Sequence, residues 1–135
     1  VVKGMDVSFG GLLTNLKHKN EEEKYRKEDL AFSLQETVFA MLIEVSERAM
    51  AHTGKEELLL AGGVACNKRL QEMARQMCLE RNAKMFVPEN QFLIDNGAMI
   101  AWTGLLMYKA GIQENIPETT IKPYLRTDDV EVKWR

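Results

Sequence analysis

Apolar residues recur at spacings of three and four from Glu28 to His52, which is the period of an α-helix. One face of this helix would carry Leu30, Leu34, Val38, Met41, Leu42, Val45 and Ala49. A second face would carry Phe32, Phe39, Ile43 and Met50. A helix that is apolar on two sides is usually buried between layers, so we expect this one to be covered on both sides. Gly54 provides a suitable C-terminal stop.

The middle of the chain alternates between short apolar runs and an amphipathic segment. Residues 58–61, Leu-Leu-Leu-Ala, form a continuous apolar run that predicts a strand covered on both faces. Residues 67–81 predict a helix whose apolar face carries Leu70, Met73, Ala74 and Met77. Residues 84–87 predict a second strand, which Pro88 ends. A crossover helix between two strands implies a parallel pair with a right-handed connection.

The remaining segments carry weaker patterns. Residues 5–9 predict a short strand, residues 12–18 a short helix, and the charge run 19–29 a solvated segment. An apolar helix should start after Asp95-Asn96-Gly97 and end near Gly111, and its small residues would allow close backbone approach. From Ile112 onward the prolines indicate an irregular tail. Trp102 and Tyr108 are predicted to be packing residues.

Composition narrows the classes of protein. A chain of 135 residues with 45% hydrophobic and 28% charged residues can build one domain with a core. With a net charge of −2, the chain offers little attraction to phosphate, so if it contacts nucleic acid, most of the positive charge for binding must come from another molecule or segment. Cys66 and Cys78 form no CxxC pattern, which favours an intracellular chain in which both are small buried hydrophobes. No apolar run is long enough to span a bilayer, and the first residue, Val1, suggests a piece of a longer protein.

A pair of glycines follows the first predicted strand of the middle segment. Parallel strands end at one edge of a sheet, where open α/β folds bind ligands. Gly62 and Gly63 would let a ligand approach the backbone, and the helix behind them would offer free N–H groups to a phosphate. Asn67 offers donors and an acceptor to a base or ribose. The alternative is a tight turn in which Asn67 caps the helix.

Asp95 also has two interpretations. It is a plausible N-cap for the helix that follows, or a carboxylate that holds a divalent cation beside a bound phosphate. One carboxylate does not make a metal site, so this chain would supply one ligand of several. His18 and His52 form no HExxH motif, which excludes a self-contained zinc peptidase site. We interpret His52 as a favourable charge at a helix C-terminus.

Four stretches occur in the order found in one known family: MDVSFGGLL, LAGGVACNKRLQEM, FLIDNGAMIAW and YLRTDDVEVKWR. The chain resembles the C-terminal lobe of the tRNA adenosine threonylcarbamoyltransferase family, formerly called O-sialoglycoprotein endopeptidases. The similarity covers essentially the whole chain. The RTDDVEVKWR ending points to the archaeal and eukaryotic branch, which is the catalytic subunit of the KEOPS complex.

This resemblance implies an α/β fold, namely the C-terminal lobe of the duplicated actin/hexokinase-like (ASKHA) architecture, with a mixed sheet and flanking helices. Residues 1–135 would form this lobe, with residues 112–135 as its irregular tail and the N-terminal lobe missing from the chain. The implied enzyme transfers threonylcarbamoyl from threonylcarbamoyl-adenylate to the adenosine next to the anticodon in ANN-decoding tRNAs. The fragment alone would supply half of the cleft and would be inactive.

The resemblance also implies roles for individual residues. Asn67 matches the asparagine that contacts the nucleotide, Gly62 and Gly63 match glycines that line the adenylate, and Asp95 matches the metal-binding aspartate of a DNG motif. The other metal ligands in the family are two histidines of an HxxxH motif, which this sequence lacks and which we expect to precede Val1. Gly10 stands where the family commonly has a serine, and we assign no catalytic residue within this chain.

The implied cofactors are one divalent metal ion (iron, zinc or magnesium) and an adenylate or ATP-like nucleotide. The implied partners are tRNA, the KEOPS subunits including the kinase-like subunit, and the N-terminal lobe, with no membrane. The location would be cytoplasmic, and also nuclear in a eukaryote. Two alternatives stay open: a partner-docking or regulatory lobe within the KEOPS complex, and the lobe of an actin-like ATPase or sugar kinase.

Overall fold

A computed structural model of the chain describes residues 4–126 and 129–134. Thr127 and Asp128 of the RTDDVEVKWR stretch, and Arg135 at its end, lie outside the described residues. The fold is a mixture of helices and one small sheet, which confirms the α/β class in this coarser form. The helices are α1 (Gly10–Glu21), α2 (Lys27–Thr53), α3 (Lys68–Glu80), α4 (Asn90–Leu93) and α5 (Gly97–Lys109), and the strands are β1 (Glu57–Leu59) and β2 (Lys84–Phe86).

The chain divides into two units, residues 1–93 and residues 94–135. The first unit holds the sheet and helices α1 to α4, and the second unit holds α5 and the tail. Within the described part of the tail, a 3-10 turn at Ile116–Glu118 interrupts the irregular backbone. The expectation of one lobe over residues 1–135 with an irregular tail stays a prediction.

The two strands pair in parallel, as the crossover pattern predicts. Leu58 lies opposite Met85, and Leu59 lies opposite Phe86. Because side chains alternate along a strand, Leu58 and Met85 face one side of the sheet and Leu59 and Phe86 face the other. Leu58 and Met85 pack against a core formed by Met50, Met77 and Cys78. The sheet therefore ties α2 and α3 together through one shared apolar cluster.

The expectation that this strand is covered on both faces is wrong. Leu59 is 65% exposed and Phe86 is 48% exposed, so the second side of the pair faces solvent. The sequence of a parallel strand is continuously apolar when other layers of the fold cover both of its faces. In the part of the chain that the structure describes, the packed layer lies on the Leu58 side only. The run of leucines thus indicated a covering layer that the described residues do not contain.

Helix α2 forms where its periodicity predicts, and Gly54 ends it in the left-handed conformation with φ 65°. Its burial differs from the prediction. Leu30, Phe39 and Met50 are buried, but Phe32 on the second face is 63% exposed. The reason is that α1 and α3 pack against α2 and leave part of its circumference open. The Glu44–Arg48 pair forms as the spacing indicates, with 3.2 Å between the carboxylate Oε2 and the guanidinium Nη2.

Three further expectations for the ends of the chain are wrong. Residues 5–9 form no strand, because their backbone is irregular and they do not join the sheet of β1 and β2. Trp102 and Tyr108 are 60% and 66% exposed, so they are not packing residues in the described structure. A Cβ atom at Gly97 or Gly104 would meet no atom of the described residues within 4 Å, so these glycines make no close backbone approach to that part of the chain. Among the described residues, no helix is both long and apolar enough to cross a membrane.

Candidate functional site

The glycine turn follows β1 and leads into α3 by a sharp change of backbone direction. Gly62 has φ 86° and ψ 165°, a region that only glycine occupies without strain. A Cβ atom at Gly62 would meet no other atom within 4 Å, so the backbone conformation alone requires glycine here. Gly62 and Gly63 are both exposed. The turn thus exposes bare backbone to solvent, and the approach of a ligand to it stays a prediction.

A single 3-10 turn, Gly63–Cys66, connects Gly62 to Asn67. The Ala65 N–H donates to the Gly62 carbonyl at 3.0 Å, and the Asn67 N–H donates to the Val64 carbonyl at 3.0 Å. Ala65 is 3% exposed and anchors the turn to the first unit. The amide of Gln71 also donates to the Ala65 carbonyl at 2.7 Å. These contacts give the glycine segment a defined shape rather than that of a loose loop.

Asn67 is the N-cap of α3. Its Oδ1 accepts hydrogen bonds from the backbone N–H groups of Arg69 at 2.8 Å and Leu70 at 3.3 Å. The capping interpretation is therefore confirmed. The expectation of free N–H groups at this helix start is wrong for these two, because the Asn67 oxygen already accepts from both. The expectation that Asn67 offers an acceptor to a ligand is also wrong, since that oxygen is committed to the helix.

A polar network holds this junction against α2. Arg69 forms a bidentate pair with Glu36, with distances of 2.9 Å from Nε to Oε1 and 2.8 Å from Nη2 to Oε2. Its Nη1 also donates to Oε2 of Glu72 at 2.7 Å. The Arg69 guanidinium is the main reason that the pKa of the Glu36 carboxyl is lowered, and the Gln35 amide adds a smaller effect. The two carboxylates in turn raise the pKa of Arg69, which stays charged.

Gln35 completes this network, and the sequence analysis missed it. Its Oε1 accepts a hydrogen bond from Nδ2 of Asn67 at 3.3 Å, across 32 positions of sequence. The helical period places Gln35 and Glu36 among the polar positions of α2 but carries no information about what they face. No signal in the sequence alone connects them to the glycine turn.

Asp95 lies two residues before α5, in the second unit. The expectation that it caps this helix is wrong, because Asn96 is the N-cap and its Oδ1 accepts from the Met99 N–H at 3.0 Å. The Asn96 amide also donates to the Ile94 carbonyl at 3.0 Å, immediately before the helix begins at Gly97. The Asp95 side chain is exposed. Its role as a metal ligand stays a prediction.

The donor groups of the described residues fit one metal ligand rather than a complete site. Hard divalent cations prefer carboxylate oxygen, which Asp95 offers to solvent. Among residues 4–126 and 129–134, no group of three or more His, Cys, Asp or Glu side chains could hold a metal ion. A metal at Asp95 would therefore need further ligands from outside these residues.

The structure brings together Gly62, Gly63 and Asn67 in one continuous segment of the first unit. Asp95 belongs to the second unit, and its convergence with Asn67 on one rim stays a prediction.

A separate apolar groove of about 280 Å³ lies between α1 and α2. None of the predicted site residues lines this groove, so it is distinct from the glycine turn.

One cysteine, Cys66, ends the 3-10 turn, and the other, Cys78, lies within α3. Cys78 is 1% exposed in the core cluster, and burial raises the pKa of its thiol. Cys66 is half-buried, with its Sγ 4.0 Å from the Asn90 carbonyl oxygen. Both thiols are free, and Cys78 fulfils the prediction of a small buried hydrophobe. His52 lies in the last turn of α2.

Comparison with known proteins identifies the chain's relatives. Residues 1–102 match the family model described as TsaD, tRNA N6-adenosine threonylcarbamoyltransferase. A protein of that name from Thermococcus sibiricus is 59% identical over 133 residues, which cover 98% of this chain and 41% of the relative. A Danio rerio protein of that name is 54% identical over 138 residues, which cover 99% of this chain and 41% of the relative.

A Methanosarcina mazei protein named as a probable bifunctional tRNA threonylcarbamoyladenosine biosynthesis protein is 55% identical over 137 residues, 99% of this chain and 24% of the relative. The chain thus spans about two fifths, or less, of the length of these relatives. The relatives come from archaea and a vertebrate, as expected for the archaeal and eukaryotic branch. The resemblance found in the sequence motifs is confirmed, and the chain belongs to the tRNA N6-adenosine threonylcarbamoyltransferase (TsaD) family.

Proposed function

We propose that this chain is the C-terminal lobe of an ASKHA-fold tRNA threonylcarbamoyltransferase and supplies half of its adenylate and metal cleft. The observation that carries the proposal is the junction from Gly62 to Asn67. An exposed turn follows the parallel strand β1, and Gly62 in this turn has a backbone conformation that only glycine adopts without strain. The turn ends at Asn67, whose side chain caps α3. This is the place where α/β folds bind nucleotides. The relatives that share the chain's sequence are named for the same activity.

The proposed reaction moves a threonylcarbamoyl group from its adenylate to the N6 amine of the adenosine next to the anticodon in ANN-decoding tRNAs. The amine nitrogen forms a bond to the carbonyl carbon, the bond from that carbon to the phosphate oxygen breaks, and AMP leaves. The attacking nitrogen gives up one proton. An exocyclic amine is a poor nucleophile, so positioning and charge stabilisation supply most of the acceleration.

Each residue has a role that its geometry allows. Gly62 and Gly63 let the adenylate approach the backbone, because both are exposed and neither carries a side chain. Asn67 hydrogen-bonds the nucleotide through its amide nitrogen, since its oxygen caps α3. Asp95 provides one carboxylate ligand for iron, zinc or magnesium, with the other ligands outside the described residues. A divalent metal, when bound, supplies Lewis acidity at the adenylate.

The proposal extends to partners and location. Threonylcarbamoyl-adenylate and tRNA are the substrates, and the N-terminal lobe and the kinase-like KEOPS subunit are the protein partners. We place the protein in the cytoplasm, and in the nucleus as well if it is eukaryotic. With a net charge of −2, this chain provides little of the electrostatic attraction for tRNA, so other segments or subunits provide it.

The test is an Asp95→Ala substitution in the full-length protein, meaning this chain with whatever sequence accompanies it. Metal content is measured by mass spectrometry, and transfer is measured as threonylcarbamoyladenosine formed in tRNA. We expect both the metal content and the transfer rate to fall, with the unfolding temperature unchanged because the Asp95 side chain is exposed. Asp6→Ala is the matched control, since Asp6 is also exposed and lies far from Asp95 in sequence. Wild-type metal stoichiometry together with wild-type turnover in Asp95→Ala would contradict the proposal.

A further inference from the structure

The orientation of the Asn67 carboxamide is determined by its neighbours. Two backbone N–H groups, of Arg69 and Leu70, point at one end of the amide. Only the oxygen can accept hydrogen bonds, so Oδ1 must face α3 and Nδ2 must face away from it. The nitrogen then has two N–H groups to place.

Gln35 accepts one of these N–H groups. Its Oε1 lies 3.3 Å from Nδ2 of Asn67, and both side chains are half-buried. The second N–H of Asn67 has no hydrogen-bond partner among the residues that the structure describes. A carboxamide held at both ends cannot rotate to exchange its donor and acceptor, so that second N–H has a fixed direction.

The neighbour of Gln35 strengthens this arrangement. Glu36 holds Arg69 through two hydrogen bonds of 2.9 Å and 2.8 Å. Two consecutive residues of α2, Gln35 and Glu36, therefore hydrogen-bond to the N-cap of α3 and to Arg69, the second residue of that helix. A bidentate guanidinium–carboxylate pair fixes both separation and orientation, so α2 keeps Gln35 at the same distance from Asn67.

We propose that Gln35 is a positioning residue that fixes the Asn67 amide so that Asn67 presents a single N–H donor, and no acceptor, to the adenylate. This inference depends on the proposed function. It specifies the complementary ligand atom as a hydrogen-bond acceptor of the adenylate: a ribose oxygen, a purine ring nitrogen or a phosphate oxygen. Gln35 itself touches no ligand and acts through Asn67.

The experiment measures ATP binding to the full-length protein by calorimetry, with ATP as the probe of the adenylate site. Gln35→Met removes the acceptor at similar side-chain length, and we expect it to weaken ATP binding about fivefold, the effect of one lost hydrogen bond. Gln35→Glu restores an acceptor oxygen, and we expect binding to return close to the wild-type value. Gln35→Asn, which is one methylene shorter, replaces Gln35→Met if that variant fails to fold, with the same weakening expected.

The matched control is Gln76→Met. Gln76 lies on α3, and its amide nitrogen donates at 2.6 Å to Oε1 of Glu80, one turn further along the exposed face of the helix. We expect this variant to bind ATP as the wild type does. Equal weakening by Gln35→Met and Gln35→Glu would overturn the inference, because the acceptor would then be irrelevant.

Asn67→Ser separates this inference from the proposed function. Serine keeps a neutral capping oxygen but removes the carboxamide N–H. If Asn67→Ser weakens ATP binding while Gln35→Met binds like the wild type, the role of Gln35 is overturned and the proposed function stands. If Asn67→Ser itself binds ATP like the wild type, the assignment of Asn67 to the nucleotide fails, and the inference fails with it.

Discussion

Gly62 has a backbone conformation, φ 86° and ψ 165°, that residues with a Cβ atom adopt only under strain. Open space surrounds the missing Cβ, so the effect of a substitution comes from the backbone alone. We expect Gly62→Ala to lower the free energy of unfolding by about 1–3 kcal/mol. Relief of this strain would move the turn, so under the proposed function ATP affinity should fall as well. Urea unfolding and calorimetry measure the two effects.

Gly11→Ala is the control at the same scale. Gly11 lies in the first turn of α1, and a Cβ atom there would also meet no atom within 4 Å. Since its backbone is helical, alanine should leave the free energy of unfolding within about 1 kcal/mol of the wild-type value or raise it. Equal losses of stability at positions 11 and 62 would contradict the assignment of backbone strain to Gly62.

At the scale of elements, the contact between α2 and α3 depends on a charged pair. Arg69 holds the pKa of Glu36 below the ordinary carboxyl value of 4.5. A lowered pKa means that the unfolded chain takes up a proton before the folded chain does, so the pair stabilises the fold above about pH 4.5 and less as the pH falls further. We expect Glu36→Gln to be less stable than the wild type at pH 7 and to approach it near pH 3. Thermal unfolding across this range measures the difference.

Glu44→Gln controls for the loss of an exposed charge on the same helix, because Glu44 pairs with Arg48 within α2 and not with α3. Such a pair contributes only about 0.3–0.5 kcal/mol, so this variant should follow the wild-type curve closely. If the stability difference between Glu36→Gln and the wild type does not depend on pH, the substitution destabilises the protein through altered packing geometry and not through the lost charge.

The same elements show what the sequence could predict. The period of α2, the amphipathic α3 and the parallel strand pair were predictable, because local spacing determines each of them. The cap at Asn67 was predictable too, since it depends on groups two and three residues away. Gln35 was not, because its contact spans 32 positions and depends on how α2 packs against α3. The spacing of apolar residues indicates which side chains should be buried, but it does not identify the surface that buries them. Leu59 and Phe32 are apolar by this pattern and yet exposed.

At the scale of the whole molecule, the first unit depends on one shared core of Met50, Met77 and Cys78. Side chains from α2, α3 and both strands meet there, so its loss should affect the entire unit. Met77 is 6% exposed, and we expect Met77→Ala to cost about 2–5 kcal/mol of unfolding free energy through lost packing and a residual cavity. Urea unfolding of the full-length protein measures the cost, and hydrogen exchange at the β1 amides reports whether the sheet loosens with it.

Leu79→Ala is the matched control, because Leu79 lies on the same helix and is 68% exposed. Its truncation should change the unfolding free energy by no more than about 0.5 kcal/mol. A loss at Leu79 as large as that at Met77 would mean that another surface covers Leu79 in the full-length protein, and that the core described for the first unit is incomplete.

Asn67 caps α3 and, under the proposed function, also donates to the adenylate, and these two requirements together limit how this position can change during evolution. Serine, aspartate or threonine could each begin α3 adequately, so the helix alone would tolerate several residues here. None of them carries a carboxamide, so a lineage that drifts to one of them would keep its fold and lose a donor. Measurements of stability alone would not distinguish such proteins from the wild type. If Asn67 binds the adenylate as proposed, such descendants would be well folded but impaired in nucleotide binding, and the residue at this position would identify them.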